Sequence, residues 1–127
     1  MMKTGVIHGR FQGLHNGHME YLLTAKKRCD FLVIGITNFL GNAVDSEISR
    51  IDDHRLSEEG NPFSFYERLE MISGALMEAG IPREEFTIVP FPIENPEQIK
   101  NFVPRNAVYF MTIYDEWGKE KKKRLVF

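Results

Sequence analysis

The chain has 127 residues, of which 43% are hydrophobic, so it is long and apolar enough to form one compact domain with a single core. Its formal net charge is -2 and it has no long basic face, which disfavours a nucleic-acid partner but leaves small anionic ligands open. The single cysteine, Cys29, excludes an internal disulfide, and the longest apolar run, FLVIGI, is far too short to cross a membrane, so we predict a cytoplasmic protein with no membrane partner.

The N-terminal part of the chain predicts a strand, a glycine-rich loop, a helix and a second strand. The apolar run in TGVIHGRF predicts the first strand. HMEYLLTAKKR predicts a helix that begins near His18, because Met19, Leu22 and Leu23 fall at helical spacing. DFLVIGITN is a continuous apolar run, which is typical of a strand buried on both faces.

The second half of the chain continues this alternation. SFYERLEMISGALMEAG predicts a helix that Ser64 and Glu67 open in capping-box spacing, and FTIVPF predicts a third strand. Asn95 and Pro96 suit the N-cap and the first position of a helix over PEQIKNFV, and AVYFMTI predicts a fourth strand. Asp115 suits the cap of a last helix over EWGKEKKKR, and the final LVF fits the first residues of a fifth strand.

Alternating strands and helices predict an α/β domain over residues 1–127: a Rossmann-like parallel sheet of four to five strands with helices on both faces. Ligands of such sheets bind beyond the carboxyl ends of the strands, at the point where the strand order reverses. The stretch IHGRFQGLHNGH lies at the carboxyl end of the first strand and therefore marks the expected site.

The loop in this stretch has the residue types that a triphosphate needs. A helix N-terminus supplies free N–H groups and a partial positive charge, and glycines such as Gly13 and Gly17 allow close approach. His15 and His18 are three residues apart, so their rings can share one face of the first helical turn and donate to phosphate oxygens. Two surface histidines, or a helix cap, is the alternative. It is weaker here because GRFQ follows a strand and HNGH opens a helix.

Two motifs resemble those of a known family. GRFQGLHNGH resembles the signature of the nucleotidylyltransferase superfamily, whose members carry His/Thr-x-Gly-His at this turn, and is most similar to the nicotinamide- and nicotinate-nucleotide adenylyltransferase branch, where GRFQPxHNGH is typical. NPFSFYERLEMI resembles the second motif of that branch, NPF(S/T)xxER. The resemblance implies transfer of AMP from ATP to a small phosphorylated acceptor such as nicotinamide or nicotinate mononucleotide, with release of pyrophosphate, and thus a role in NAD biosynthesis.

The resemblance also implies roles for individual residues. His15 and His18 would be catalytic, binding the triphosphate and stabilising the transition state at the α-phosphorus. The implied nucleotide-binding residues lie around the first loop: Gly9, Arg10, Phe11, Gln12 and Gly17. The implied acceptor-binding residues belong to the second motif: Asn61, Pro62, Phe63 and Arg68. Core packing of Phe63 and a surface ion pair of Arg68 with Glu67 or Glu70 are the alternatives. Mg²⁺ would arrive with the nucleoside triphosphate, so no protein metal site is expected.

The sequence departs from the family pattern in two places. Position 13, usually proline, is Gly13, and the late ISxTxxR stretch of the family is missing. There are two interpretations of the missing stretch: a C-terminally truncated chain, or a member that lacks half of its phosphate clamp. A missing edge strand would favour a homo-oligomer.

Two other functions remain open: a cytidylyltransferase that uses CTP and another phosphate or phosphonate acceptor, and a nucleotide-binding module without catalysis.

Weaker candidates lie outside the motifs. Residues 39–62 form an unusually long polar connection, and we expect it to close over the acceptor. Its DDHR cluster at 52–55 offers metal ligands, although solvated side chains are the simpler interpretation. His8 is expected to pack in the core. Tyr114 and Trp117 follow the fourth strand, where they would stack on a base or pack on the surface.

Overall fold

The structure, a computed structural model, describes residues 2–40, 62–115 and 122–126. The elements in these ranges are β1 (Thr4–Gly9), α1 (Asn16–Lys27), β2 (Phe31–Ile36), α2 (Phe65–Glu78), a 3₁₀ turn (Arg83–Glu85), β3 (Phe86–Pro90), a 3₁₀ helix (Pro96–Asn101), β4 (Ala107–Tyr109), β5 (Met111–Asp115) and β6 (Lys122–Val126). None of the helices in these ranges is long and apolar enough to cross a membrane.

Four strands form one parallel sheet in the order β3-β2-β1-β4. The chain moves in one direction from β1 to β2 to β3 and then returns to the far side of β1 as β4. The strand order therefore reverses between β1 and β4, and the loop after β1 leaves the sheet at this switch point. The predicted α/β fold with a parallel sheet is confirmed. β4 lies at one edge of this sheet. The homo-oligomer predicted from a missing edge strand stays a prediction.

Both faces of the sheet are covered, as predicted. The two α-helices and the inward side chains of β1 and β2 share one core cluster, which includes Ile7, Leu22, Ile34, Ile72 and Leu76, all 0% exposed. On the opposite face, a smaller cluster joins the sheet to the segment around the 3₁₀ helix: Val6, Val33, Phe91 and Val103, with Ile99 packed against them. This arrangement leaves the carboxyl ends of the strands as the edge from which the functional loops emerge.

The capping box predicted for α2 is present. Ser64 Oγ accepts a hydrogen bond from the Glu67 main-chain N–H at 3.1 Å, and Glu67 Oε1 accepts one from the Ser64 N–H at 2.9 Å. Beyond the end of the helix Gly80 adopts φ +94°, a left-handed conformation that glycine adopts at little cost. Both ends of this helix are thus specified by local sequence.

Two boundaries differ from the predictions. α1 begins at Asn16 instead of near His18, because the His15 side chain caps the helix. The predicted fourth strand divides after Tyr109: Phe110 donates its N–H to the carbonyl of Val6, and the chain then continues as β5 outside the parallel sheet. Local apolar content alone does not show where a strand exchanges one partner for another.

The predicted last helix is wrong where the structure describes it. Lys122–Val126 forms β6, which pairs antiparallel with β5 so that Asp115 stands opposite Lys122 in the register. Residues 116–121, including Trp117, lie outside the described residues. KEKKKR consists of good helix formers, but the pairing of Lys122, Lys123 and Arg124 with β5 satisfies their main chain and overrides the weak intrinsic preference. The predicted helix over PEQIKNFV is present as the 3₁₀ helix with Asn95 at its N-cap position.

His8, expected to pack in the core, is half-buried and lies on the second face of the sheet. Its ring stacks on that of Phe91, with the centroids 4.6 Å apart and the planes 1° apart. Burial lowers the pKa of His8 below its ordinary value of 6.5, because the charged ring would lose solvation. The folded protein therefore favours the neutral imidazole.

The lowered pKa of His8 predicts a stability that decreases in mild acid. The unfolded chain protonates His8 first as the pH falls below about 6.5, so the free energy of unfolding declines until the lowered pKa of the folded state is reached. His8→Phe keeps a stacking ring but does not titrate, and it should lose less stability than the native chain between about pH 7 and about pH 5. Urea unfolding at both pH values measures this, and equal losses in the two proteins would contradict it.

Candidate active site

The candidate site lies where the carboxyl ends of β1 and β2 meet the N-termini of α1 and α2. The loop of residues 10–15 connects β1 to α1, and Pro62, Phe63 and Ser64 lead into α2. Hydrogen bonds join these two segments, although more than fifty residues separate them in sequence. The two motifs singled out in the sequence therefore form one neighbourhood.

His15 is the N-cap of α1. Its Nδ1 accepts hydrogen bonds from the main-chain N–H groups of Gly17 at 3.0 Å and His18 at 3.4 Å. An accepting Nδ1 carries no proton, so the proton of the neutral His15 ring lies on Nε2, which is then a hydrogen-bond donor. His15 therefore serves as the helix cap and also as one member of the imidazole pair, two roles that the sequence offered as alternatives.

This cap changes what the first turn of α1 offers to a ligand. The sequence suggested that its main-chain amides would be exposed for phosphate, but in this structure the N–H groups of Gly17 and His18 are directed at the His15 ring. Gly17 also lies beneath that ring, since an added Cβ would stand 2.9 Å from His15 Cε1. These two amides are therefore occupied, and the exposed His15 ring offers its Nε2–H at this end of the helix.

The two histidines of the first motif are in contact. Their ring centroids are 3.8 Å apart, with 25° between the ring planes. The His15 side chain is exposed and that of His18 is half-buried, so the pair borders solvent. Two adjacent imidazoles of this kind are suited to donating hydrogen bonds to the oxygens of one phosphate group.

Phe11 packs against the His18 ring of the pair. It is 1% exposed and its ring centroid lies 5.3 Å from that of His18. Its φ of 49° places it in the left-handed region, which a bulky residue rarely adopts. Gly9 makes room for the ring, because an added Cβ would stand 2.9 Å from Phe11 Cε2. A strained residue at this turn is typical of functional sites.

Gly13 also has a conformation that its residue type makes accessible. Its φ is 91°, whereas proline is held near about -65°. The proline that the family usually carries at this position would not fit the main chain as it stands here. The departure seen in the sequence therefore coincides with a main-chain conformation that proline does not adopt.

Gln12 links the first motif to the second. Its Oε1 accepts a hydrogen bond from the Phe63 N–H at 2.8 Å, and its Nε2 donates to the Phe63 carbonyl at 3.1 Å. The amide thus pairs with the main chain of Phe63 as a neighbouring strand would. Phe63 is half-buried, Pro62 is exposed, and Asn61 lies outside the described residues.

Arg68 is fully buried, at 0% exposure, beside the turns that follow β1 and β2. Its guanidinium donates four hydrogen bonds to main-chain carbonyls: to Ser64 at 3.2 Å, Arg10 at 2.9 Å, Thr37 at 2.8 Å and Asn38 at 2.8 Å. Burial, and then the charge of Arg10, lower the pKa of Arg68 to about 10, so it remains a cation at neutral pH. The sequence held a signal for this burial, since position 68 lies on the apolar stripe of α2 between Phe65 and Ile72.

Several predicted features fall outside the described residues: most of the connection 39–62, its DDHR cluster, and Trp117. For Tyr114 the structure gives the main chain, as part of β5. Among the described residues, no group of three or more His, Cys, Asp or Glu side chains is placed to hold a metal ion. The expectation that Mg²⁺ arrives with the nucleotide stays a prediction.

The capping role of His15 predicts a measurable effect on stability. His15→Ala should lower the free energy of unfolding by about 1 kcal/mol, because two helix N–H groups lose their acceptor, whereas His15→Asn should retain most of it, since asparagine is a favoured N-cap. Urea unfolding followed by circular dichroism compares the two variants. Equal stability of the alanine and asparagine variants would show that the ring does not act as a cap.

Comparison with known proteins gives consistent matches. A model of the cytidylyltransferase-like family matches residues 6–125. The chain is 50% identical over 121 residues to the phosphonoformate cytidylyltransferase of Streptomyces viridochromogenes, which covers 95% of this chain and 65% of that protein. It is 35% identical over 115 residues to the nicotinamide-nucleotide adenylyltransferase of Thermococcus kodakarensis, covering 87% of this chain and 54% of that protein. The chain thus spans between about half and two thirds of these relatives.

Solved structures show the same fold. A bifunctional NMN adenylyltransferase/ADP ribose pyrophosphatase from Francisella tularensis, crystallised with AMP and a manganese ion, superposes with a TM-score of 0.57 and 26% identity over 80% of this chain and 26% of that one. A second structure of that bifunctional protein gives a TM-score of 0.59 at 24% identity over 87% of this chain and 31% of that chain.

Proposed function

Since the chain belongs to the cytidylyltransferase-like family, we propose that it transfers a cytidylyl group from CTP to a small acceptor that carries a phosphonate or phosphate. The observation that carries this proposal is the pair of His15 and His18, with ring centroids 3.8 Å apart at the switch point of the sheet. The choice of CTP is supported by the 50% identity to a phosphonoformate cytidylyltransferase.

In the proposed reaction an oxygen of the acceptor attacks the α-phosphorus of the nucleotide. The bond from that phosphorus to the bridging oxygen breaks, and pyrophosphate leaves with the bonding electrons. A phosphonate or phosphate oxygen is already a competent nucleophile, so the protein needs to position the reactants in line and to stabilise developing charge. That requirement is met by hydrogen-bond donors and does not call for a strong general base.

The histidines of the pair would supply those donors. With Nδ1 of His15 accepting the cap hydrogen bonds, its Nε2–H is available to a phosphate oxygen, and the adjacent His18 ring would contact the same group. Such donors stabilise the transition state more than the ground state when they lie where negative charge develops. Arg10, half-buried directly after β1, would add a positive charge beside them.

The acceptor would bind on the α2 side of the same neighbourhood. Phe63 and the exposed Pro62 stand just before α2, and Gln12 holds the main chain of Phe63 against the first loop. Asn61, also implied by the family motif, lies just before them. Mg²⁺ would supply charge neutralisation on the phosphates.

Adenylyl transfer to a nicotinamide or nicotinate mononucleotide is the second candidate. It is favoured by the 35% identity to a nicotinamide-nucleotide adenylyltransferase over 115 residues. The two candidates share the reaction at phosphorus and differ in the base and the acceptor.

A substrate matrix tests the proposal. Pyrophosphate release is measured with CTP, ATP, GTP and UTP, each against phosphonoformate, other small phosphonates, and the two mononucleotides, beside the His18→Ala variant. Release with CTP and a phosphonate is the expected result, and release only with ATP and a mononucleotide would favour the second candidate. Nucleotide binding without release in any combination would contradict both and indicate a binding module.

A further inference from the structure

The buried Arg68 guanidinium contacts main chain from three segments of the chain. It starts on α2, yet it donates to carbonyls in the turn that ends β1, in the turn that ends β2, and at Ser64, the N-cap of its own helix. Four of the five N–H groups of a guanidinium are directed at these carbonyls. Such a set of bonds is suited to holding main chain in a defined orientation.

The carbonyls that Arg68 holds adjoin the two non-glycine residues with positive φ in the described parts of the chain. Arg10 precedes Phe11, whose φ is 49°, and Thr37 precedes Asn38, whose φ is 51°. The carbonyl of one residue and the N–H of the next share a rigid peptide plane, so fixing that carbonyl restrains the φ of the following residue. Left-handed non-glycine residues persist where the surroundings impose them, and here one guanidinium bonds to the carbonyl that precedes each of them.

One of these turns bears directly on the paired histidines. The Phe11 ring packs at 5.3 Å from the His18 ring, and His18 in turn stacks on His15. If the peptide plane between Arg10 and Phe11 rotates, the Phe11 ring leaves its place and His18 loses its support. Displacements of this kind at a reacting centre reduce the rate out of proportion to their size.

We propose that Arg68 is a positioning residue: by holding the carbonyls of Arg10, Thr37 and Asn38 it sets the turns that end β1 and β2, and through Phe11 it fixes the orientation of His18. This inference rests on the proposed function of the histidine pair. Lysine is a poor replacement, because its donors radiate from one nitrogen and do not form the planar fork that reaches both turns.

The test compares Arg68→Lys and Arg68→Met with Leu76→Ala, which removes buried volume from the same helix eight residues further on. Thermal unfolding first identifies a temperature at which every variant is folded. Two readouts follow there: kcat and KM for the nucleotide, and the NMR shift of the His18 ring protons, which sense the ring current of Phe11.

We expect both Arg68 variants to shift the His18 resonances, and Arg68→Met to lower kcat by about thirtyfold with little change in KM for the nucleotide. Leu76→Ala should lower the melting temperature comparably but leave His18 and kcat near their native values. Unchanged His18 resonances in Arg68→Lys, or an equal loss of kcat in Leu76→Ala, would overturn the proposal.

These readouts separate the proposal from the proposed function. If the native chain shows no transfer with any substrate pair, the proposed function fails, whereas the His18 resonances still decide whether Arg68 positions that ring. Arg68→Lys retains the charge and most of the volume, so the NMR comparison holds even if Arg68→Met does not fold.

Discussion

His18→Ala should lower kcat for pyrophosphate release by about a hundredfold or more while leaving the fold intact. A donor placed at a developing negative charge typically contributes about 3 kcal/mol to the transition state, and about 1.4 kcal/mol corresponds to tenfold in rate. The helix cap should survive, because it uses the His15 ring and the main-chain N–H of residue 18. Steady-state kinetics with the best substrate pair, beside thermal unfolding, measures both effects.

The matched variant for this prediction is His15→Asn, which keeps a cap but removes the other ring. If the two histidines act as a unit, the double variant should be only slightly slower than either single one. Two independent and multiplicative losses would mean that the rings serve separate steps. Activity within threefold of the native value in His18→Ala would remove the pair from the chemistry.

Gly35→Ala should destabilise the protein by about 3 kcal/mol, the upper part of the usual range for overpacking a core. An added Cβ would stand 2.5 Å from Phe91 Cδ1, 2.7 Å from its Cβ and 2.8 Å from its Cγ. Phe91 has little freedom to move away, because its ring stacks on His8 and its N–H donates to the carbonyl of Ile36 at 2.9 Å. For a domain of this size the melting temperature should fall by roughly 10 °C.

Gly74→Ala is the control for that prediction. Gly74 is exposed in α2, and an added Cβ would meet no atom within 4 Å. The same substitution should there raise the free energy of unfolding by about 0.5 to 1 kcal/mol, because alanine is the better helix former. Differential scanning calorimetry of both variants gives the sign directly. A native melting temperature for Gly35→Ala would show that Phe91 repacks freely.

The parts of the fold that were predictable carry their signals locally. β2 is a continuous apolar run, and the ends of α2 follow from Ser64, Glu67 and Gly80. The start of α1 was missed because histidine is not among the usual N-cap residues. The pairing of β5 with β6 was missed because it depends on a partner strand, whereas KEKKKR is rich in residues that favour a helix.

In the candidate site, too, the features that local sequence encodes were predictable and those that depend on distant partners were not. The contact between His15 and His18 follows from their spacing on one helical turn and was predictable. The bonds from Gln12 to Phe63 and from Arg68 to Arg10 join residues 51 and 58 positions apart, which local periodicity does not encode. Arg68 was accordingly assigned to the acceptor side on resemblance alone. The structure places its donors on main-chain carbonyls instead.

The positive φ of Gly13 affects how ligands are transferred from other proteins to this one. Relatives with proline at this position hold φ about 150° away from the value of 91° seen here, so their backbone takes another path between the strand and the first helix. A nucleotide pose copied by superposing the sheets would therefore carry over contacts to a turn whose main chain differs at position 13. Soaking or docking studies should rebuild this turn around the ligand before any phosphate contact is interpreted.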